Sequence, residues 1–120
     1  MKIAFTTSGN DLTAPLEARF GRASRFLIYN LEDDTFEVLD NEQGMNAPQG
    51  AGIQAAQTLA RLGVKALVTG HCGPKAFRVL QAAGIKVYNT PVRTIAEALT
   101  QFRAGELAEL RAADVDSHWT

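Results

Sequence analysis

The chain has 120 residues, 46% hydrophobic and 21% charged, with a formal net charge of −1, which suits one domain because single cores commonly occupy about 100–200 residues. Cys72 is the single cysteine, so no intrachain disulfide can form and a reducing cytoplasm is expected. No apolar run approaches the roughly 20 residues needed to cross a bilayer, and Met1-Lys2 leads straight into Ile3-Ala4-Phe5, so neither export nor a membrane partner is expected. A nearly neutral chain without a docking motif also argues against nucleic acid as a partner.

Lys2–Ser8 reads as a first strand that ends at the turn signal Ser8-Gly9-Asn10-Asp11. Asn10 to Arg25 is polar and irregular. Phe26–Tyr29 is a compact apolar run and Thr35–Leu39 alternates, with Glu32-Asp33-Asp34 between them, so the two predict an antiparallel hairpin. Gln43 to Gly52 reads as a loop. The period then changes: Ile53, Ala56, Leu59 and Ala60 share one helical face, and Gly63 supplies the stop. Ala66–Thr69 predicts a buried strand. Pro74 suits the first position of a helix, where its missing N–H costs nothing; that helix presents Phe77 and Leu80 and stops at Gly84. Ile85–Tyr88 predicts a fifth strand. Thr94 and Glu97 have capping-box spacing, opening a helix with Ile95, Leu99 and Phe102 on its apolar face and Gly105 as its stop. Beyond it the period fades, so residues 1–108 are expected to form one α/β domain and 109–120 a loosely ordered tail.

A hairpin followed by helix, strand, helix, strand, helix implies parallel strands in the second half, joined by crossovers. The second strand must run against them. The expected fold is a mixed five-stranded sheet of order 3-2-1-4-5 with helices packed on it.

Charge is unevenly placed. Residues 32–42 carry six acids and no base; residues 43–96 carry six bases (Arg61, Lys65, Lys75, Arg78, Lys86, Arg93) and no acid. Such a span attracts an anion where its loops converge, or else lies on solvated helix faces. The richest motif is Gly70-His71-Cys72-Gly73-Pro74, the turn after the fourth strand. Ligands of open α/β sheets bind beyond the carboxyl ends of the strands. Two glycines let backbone approach a ligand, and the following helix directs free N–H groups there. Near Lys75 and His71, the Cys72 thiolate is eased, and thiolate with imidazole can ligate a soft metal; the alternative is a small buried cysteine beside a solvent-facing histidine. Arg19-Phe20-Gly21-Arg22, with Arg25, could clamp an oxyanion or thioanion, since guanidinium forks make several hydrogen bonds. Pro48-Gln49-Gly50-Ala51-Gly52 could place backbone donors near an anion, but lacks the Gly-Lys-Ser/Thr ending of a P-loop. His118-Trp119 could cover a site or pack on the surface. No nucleophile–base–orienter set appears, so catalysis is not expected.

Taken in order, Lys2-Ile3-Ala4, Arg19-Phe20-Gly21-Arg22-Ala23, Gly50-Ala51-Gly52, the run Gly70–Phe77 and the run Ala82–Tyr88 resemble the dinitrogenase iron–molybdenum cofactor biosynthesis family over about residues 1–110. The chain is similar also to the short stand-alone branch of that family, the orange proteins of sulfate-reducing bacteria. The resemblance implies a ribonuclease H-like fold without a nuclease's carboxylate site. It also implies a noncatalytic binding or carrier role for an anionic metal–sulfur cluster, either molybdenum–copper sulfide or iron–molybdenum–sulfur, and cell-division-type ATPases as partners. Carried onto this chain, the cluster-binding residues would be Arg19, Arg22, Gly50, Gly52, Gly70, His71, Cys72, Gly73 and Lys75, with Cys72 and His71 as optional metal ligands. Two alternatives stand beside it: a thiol enzyme using Cys72 for sulfur transfer, and an interaction module whose acidic hairpin 32–42 docks a partner ATPase.

Overall fold

A computed structural model describes residues 1–41, 51–91 and 93–113. Its strands are β1 (Lys2–Thr7), β2 (Arg25–Asn30), β3 (Thr35–Asp40), β4 (Val64–Thr69) and β5 (Lys86–Asn89), and its helices are α1 (Ala51–Arg61), α2 (Pro74–Ala82) and α3 (Ile95–Arg103). A single 3-10 turn spans Phe20–Arg22. The sheet order is β3-β2-β1-β4-β5, as expected from the sequence. β2 runs antiparallel to both neighbours, placing Ile3 opposite Tyr29 and Phe5 opposite Leu27, while β1, β4 and β5 are parallel.

Period-two alternation sends the strand side chains to two separate cores. Ala4, Phe26, Ile28, Leu67 and Val87 pack against α1 and α2 through Ala55, Ala56, Leu59, Ala76, Phe77 and Leu80. Ile3, Phe5, Leu27, Tyr29, Ala66 and Val68 face α3 through Ile95, Ala98 and Leu99. The result is a three-layer sandwich in which the buried strands β1 and β4 need apolar residues on both faces. That requirement explains their nearly unbroken hydrophobic runs.

The boundaries differ from the sequence reading by one or two residues, each for a local reason. β4 begins at Val64 instead of Ala66 because Val64 pairs with Lys2 across a bulge that leaves Lys65 unpaired in the ladder and exposed to solvent, and this breaks the apolar run that marks the strand. α1 begins at Ala51, ahead of Ile53, since small residues give no periodic signal. Gly63 and Gly84 end α1 and α2 with φ of +76° each, a conformation that any other side chain disfavours. Glu109 bridges to Tyr88 and the Leu110 N–H donates to the Val87 carbonyl at 2.8 Å, so this stretch of the expected tail lies along the outer edge of β5. Residues 114–120, including His118-Trp119, lie outside the described residues.

Two carboxylates tie α3 at its ends. Thr94 and Glu97 form the capping box: the Glu97 N–H donates to Thr94 Oγ1 at 3.2 Å and the Thr94 N–H to Glu97 Oε1 at 3.3 Å. At the far end Arg103 donates to Asp34 at 2.5 Å, and Tyr29 donates to the same oxygen at 3.0 Å. Arg103 also lies 5.6 Å over the Tyr29 ring. The Thr94 hydroxyl and N–H hold the Glu97 carboxyl below its ordinary value; the Arg103 guanidinium and then the Tyr29 hydroxyl do the same for Asp34. A depressed carboxyl contributes stability above its unfolded pKa and loses it as pH falls through the folded one. Stability is therefore expected to fall on acidification below about pH 4.5, with a shallower slope in the double variant Asp34→Asn, Glu97→Gln. Urea midpoints measured between pH 6 and pH 3 check this, and identical slopes would contradict it.

Candidate functional site

The parallel strands β1, β4 and β5 all end at one edge of the sheet, and the loop after each leaves from there. The first loop, residues 8–19, folds back because two threonines bind its backbone. The Glu17 N–H donates to the Thr6 carbonyl at 2.7 Å, Thr6 Oγ1 to the Glu17 carbonyl at 2.9 Å, and Thr7 Oγ1 to the Pro15 carbonyl at 2.9 Å. The loop then runs beside the second loop, Gly70–Gly73: Arg19 and His71 form a parallel bridge, and the Phe20 N–H donates to the His71 carbonyl at 3.2 Å. Gly70 is required at this crossing. A Cβ there would lie 2.5 Å from the Ala18 carbonyl oxygen and 2.6 Å from its Cα. The third loop, after β5, is fixed by the Thr90 N–H on the Thr69 carbonyl at 3.1 Å and by the Leu16 N–H on the Arg93 carbonyl at 2.6 Å.

Between these loops lies a half-open cleft of about 260 Å³, lined by Ala18, Gly70, His71, Asn89, Thr90 and Pro91. No lining residue is acidic. Thr6 and Thr69, both fully buried, lie behind its wall with their hydroxyl oxygens 2.9 Å apart. The Thr6 proton is committed to the Glu17 carbonyl, so Thr69 must be the donor in that pair. Thr6→Val takes the partner from both the part-buried Glu17 carbonyl and the buried Thr69 hydroxyl and is expected to cost about 1–3 kcal/mol; Thr69→Val removes a donor alone and is expected to cost about 1 kcal/mol. Urea unfolding of both variants tests the order, and a reversed order would reassign the donor.

The structure brings some of the sequence-selected residues together and separates others. Arg19 is half-buried with its Nε atom buried, its backbone bridges to that of His71, and His71 lines the cleft itself. Arg22 is exposed at the end of the 3-10 turn, which packs on α1. Gly73 is the N-cap of α2, and Lys75 is exposed in that helix's first turn. Gly52 is buried in the first turn of α1, while Gly50 lies outside the described residues. Cys72 points inward: it is 1% exposed, packs in the core with Phe20 and Phe77, and holds its Sγ 3.7 Å from the Gly73 carbonyl oxygen. Among the described residues no three His, Cys, Asp or Glu side chains cluster as a metal ion would need. Of the six bases in the acid-free span, Lys75 and Arg93 stand at the cleft's edge of the sheet. Arg61, Lys65 and Lys86 lie toward the opposite edge, at the end of α1 and the starts of β4 and β5.

Sequence reasoning missed Asn89, Thr90 and Pro91. They close β5 and begin the loop after it, just past the run Ala82–Tyr88, and the parallel pairing of Thr69 with Asn89 places them beside Gly70 and His71.

The pattern of the family described as dinitrogenase iron-molybdenum cofactor matches residues 1–105. The chain belongs to this family. The apo form of the orange protein from Desulfovibrio gigas superimposes with a TM-score of 0.92 at 38% identity, covering 95% of this chain and 96% of that one. A putative NifB protein from Thermotoga gives 0.84 at 35% identity, over 95% and 97% of the two chains. An uncharacterized protein of Methanocaldococcus jannaschii is 33% identical over 110 residues, 89% of each chain. The fold shared with these solved structures is thus the mixed sheet described above. Among the described residues no helix is long and apolar enough to cross a membrane.

Proposed function

We propose that this protein is a noncatalytic carrier for an anionic metal–sulfur cluster, held at the cleft between the β1, β4 and β5 loops. The observation that carries this reading is a cleft without carboxylates, bounded by His71 and the Gly70 backbone, with Arg19 bridged to its rim and the N-terminus of α2 beside it. Its size supports a compact inorganic cargo, because clefts for drug-sized organic ligands take about 300–1,000 Å³ and this one is about 260 Å³. The two cargoes that the family resemblance implies are a molybdenum–copper sulfide cluster and an iron–molybdenum–sulfur cluster. Arg19, Arg22, Lys75 and the amides of Gly70 and Gly73 supply cationic and hydrogen-bonding partners for a thioanion, and His71 supplies a nitrogen ligand. Cys72 supports the fold beneath the turn: its buried thiol presents no nucleophile to solvent, and ligation through it requires the side chain to leave the core.

Purified protein is mixed with tetrathiomolybdate and copper, passed through gel filtration, and its visible spectrum recorded. Colour eluting with the protein, and declining as salt screens the charges, is expected; colour eluting with the small molecules alone overturns the proposal.

A further inference from the structure

We infer that Asn89, the last residue of β5, is a binding residue that selects for anionic cargo by keeping this wall of the cleft neutral and able to donate. The inference rests on the carrier reading and adds a residue to it. Parallel pairing sets Asn89 beside Thr69, one residue before Gly70 and two before His71, and its half-buried side chain lines the cleft. Gly70 itself presents only backbone to the cleft, because Ala18 packs where its side chain would be. Thr90, the next residue, is 5% exposed and its hydroxyl donates to Gln101 Oε1 at 3.2 Å. A carboxamide offers two N–H donors and no charge, whereas a carboxylate of the same shape offers acceptors and a negative charge. Asparagine and aspartate are near-isosteric, and the difference between them is the difference between attracting and repelling a thioanion. The whole of the 43–96 span is free of acids, and Asn89 is the part of it that lines the cleft from β5.

The test titrates tetrathiomolybdate into wild type, Asn89→Ala, Asn89→Asp and, as a control at the opposite edge of the sheet, Lys2→Gln, following the visible spectrum of the protein-bound fraction. Lys2 lines a separate groove with Asn30, Thr35 and Glu37. Loss of a hydrogen bond to a charged group is expected to weaken binding about tenfold in Asn89→Ala, and the added charge to weaken it about a hundredfold in Asn89→Asp. Lys2→Gln is expected to match wild type. Far-ultraviolet circular dichroism and urea midpoints establish that each variant is folded, and Asn89→Ala decides the matter if the aspartate variant is not. Binding by wild type with equal affinity in both Asn89 variants overturns the role of Asn89 and leaves the carrier reading standing. An absence of binding by wild type overturns both.

Discussion

Gly70→Ala is expected to destabilise the protein by about 1–3 kcal/mol and to abolish retention of tetrathiomolybdate on gel filtration. The added methyl would lie 2.5 Å from the Ala18 carbonyl oxygen, 2.6 Å from its Cα and 2.9 Å from its carbonyl carbon. All three are backbone atoms, so no rotamer change relieves the overlap. The loop must lift, and lifting it strains the Phe20–His71 hydrogen bond and the Arg19–His71 bridge together. Stability and binding therefore fall from one cause. Gly84→Ala separates the two effects. Its Cβ meets nothing within 4 Å, but its φ of +76° penalises alanine at the far end of α2. That variant is expected to lose stability and keep the cargo. If Gly70→Ala bound tetrathiomolybdate as Gly84→Ala does, the contact with Ala18 would not be organising the site.

The difference between what was legible in the sequence and what was not follows from the range of the forces involved. Periodicity is a local signal, and much of both cores was written in it: Ala56 and Leu59 on α1, or Phe5 and Ala4 on alternate faces of β1, can be placed without knowing their partners, whereas Ala60, read onto the same helical face, is exposed and Ala55 is buried in its stead. The sheet order followed because the polar hairpin turn and the helical crossovers leave few topologies open. The Gly70–Gly73 turn was equally readable, since a glycine-framed turn between strand and helix has a fixed place in such sheets. Long-range pairing is a different matter. Nothing in Asn10 to Arg25 announces that Thr6 and Thr7 will capture the Glu17 and Pro15 carbonyls, and without that capture the loop would not reach His71. Asn89 is silent for the same reason, being brought to the cleft by register alone. Cys72 shows a further limit. Its chain neighbours suggested a reactive thiol, yet the alternation of the turn sends its side chain down into the core while His71 lines the cleft.

Phe20→Ala is expected to cost about 3–5 kcal/mol, the range for deleting a buried aromatic ring, and to weaken cargo binding beyond what lost stability explains. Phe20 is 1% exposed and its ring centroid lies 5.9 Å from that of Phe26, in the core that α1 closes with Ala55, Ala56 and Leu59. It is the apolar anchor between Arg19 and Arg22: the ring fixes the 3-10 turn on α1, and the turn fixes where the two guanidinium groups leave the backbone. Charged side chains attract an anion from any position, but several can meet one small cargo only if their Cα atoms are held in place. A matched loss of core packing on the other face supplies the comparison. Leu99 is 8% exposed and packs under α3 in the second core, and Leu99→Ala is expected to cost about 2–5 kcal/mol without moving the turn. With both variants folded at low temperature, Phe20→Ala should bind tetrathiomolybdate more weakly than Leu99→Ala, and its affinity should depend less steeply on salt because fewer cations converge on the ligand. Equal affinities at equal stability loss would mean that the Arg19–Arg22 turn does not need its anchor, and that the cleft holds its cargo through the β4 and β5 loops alone.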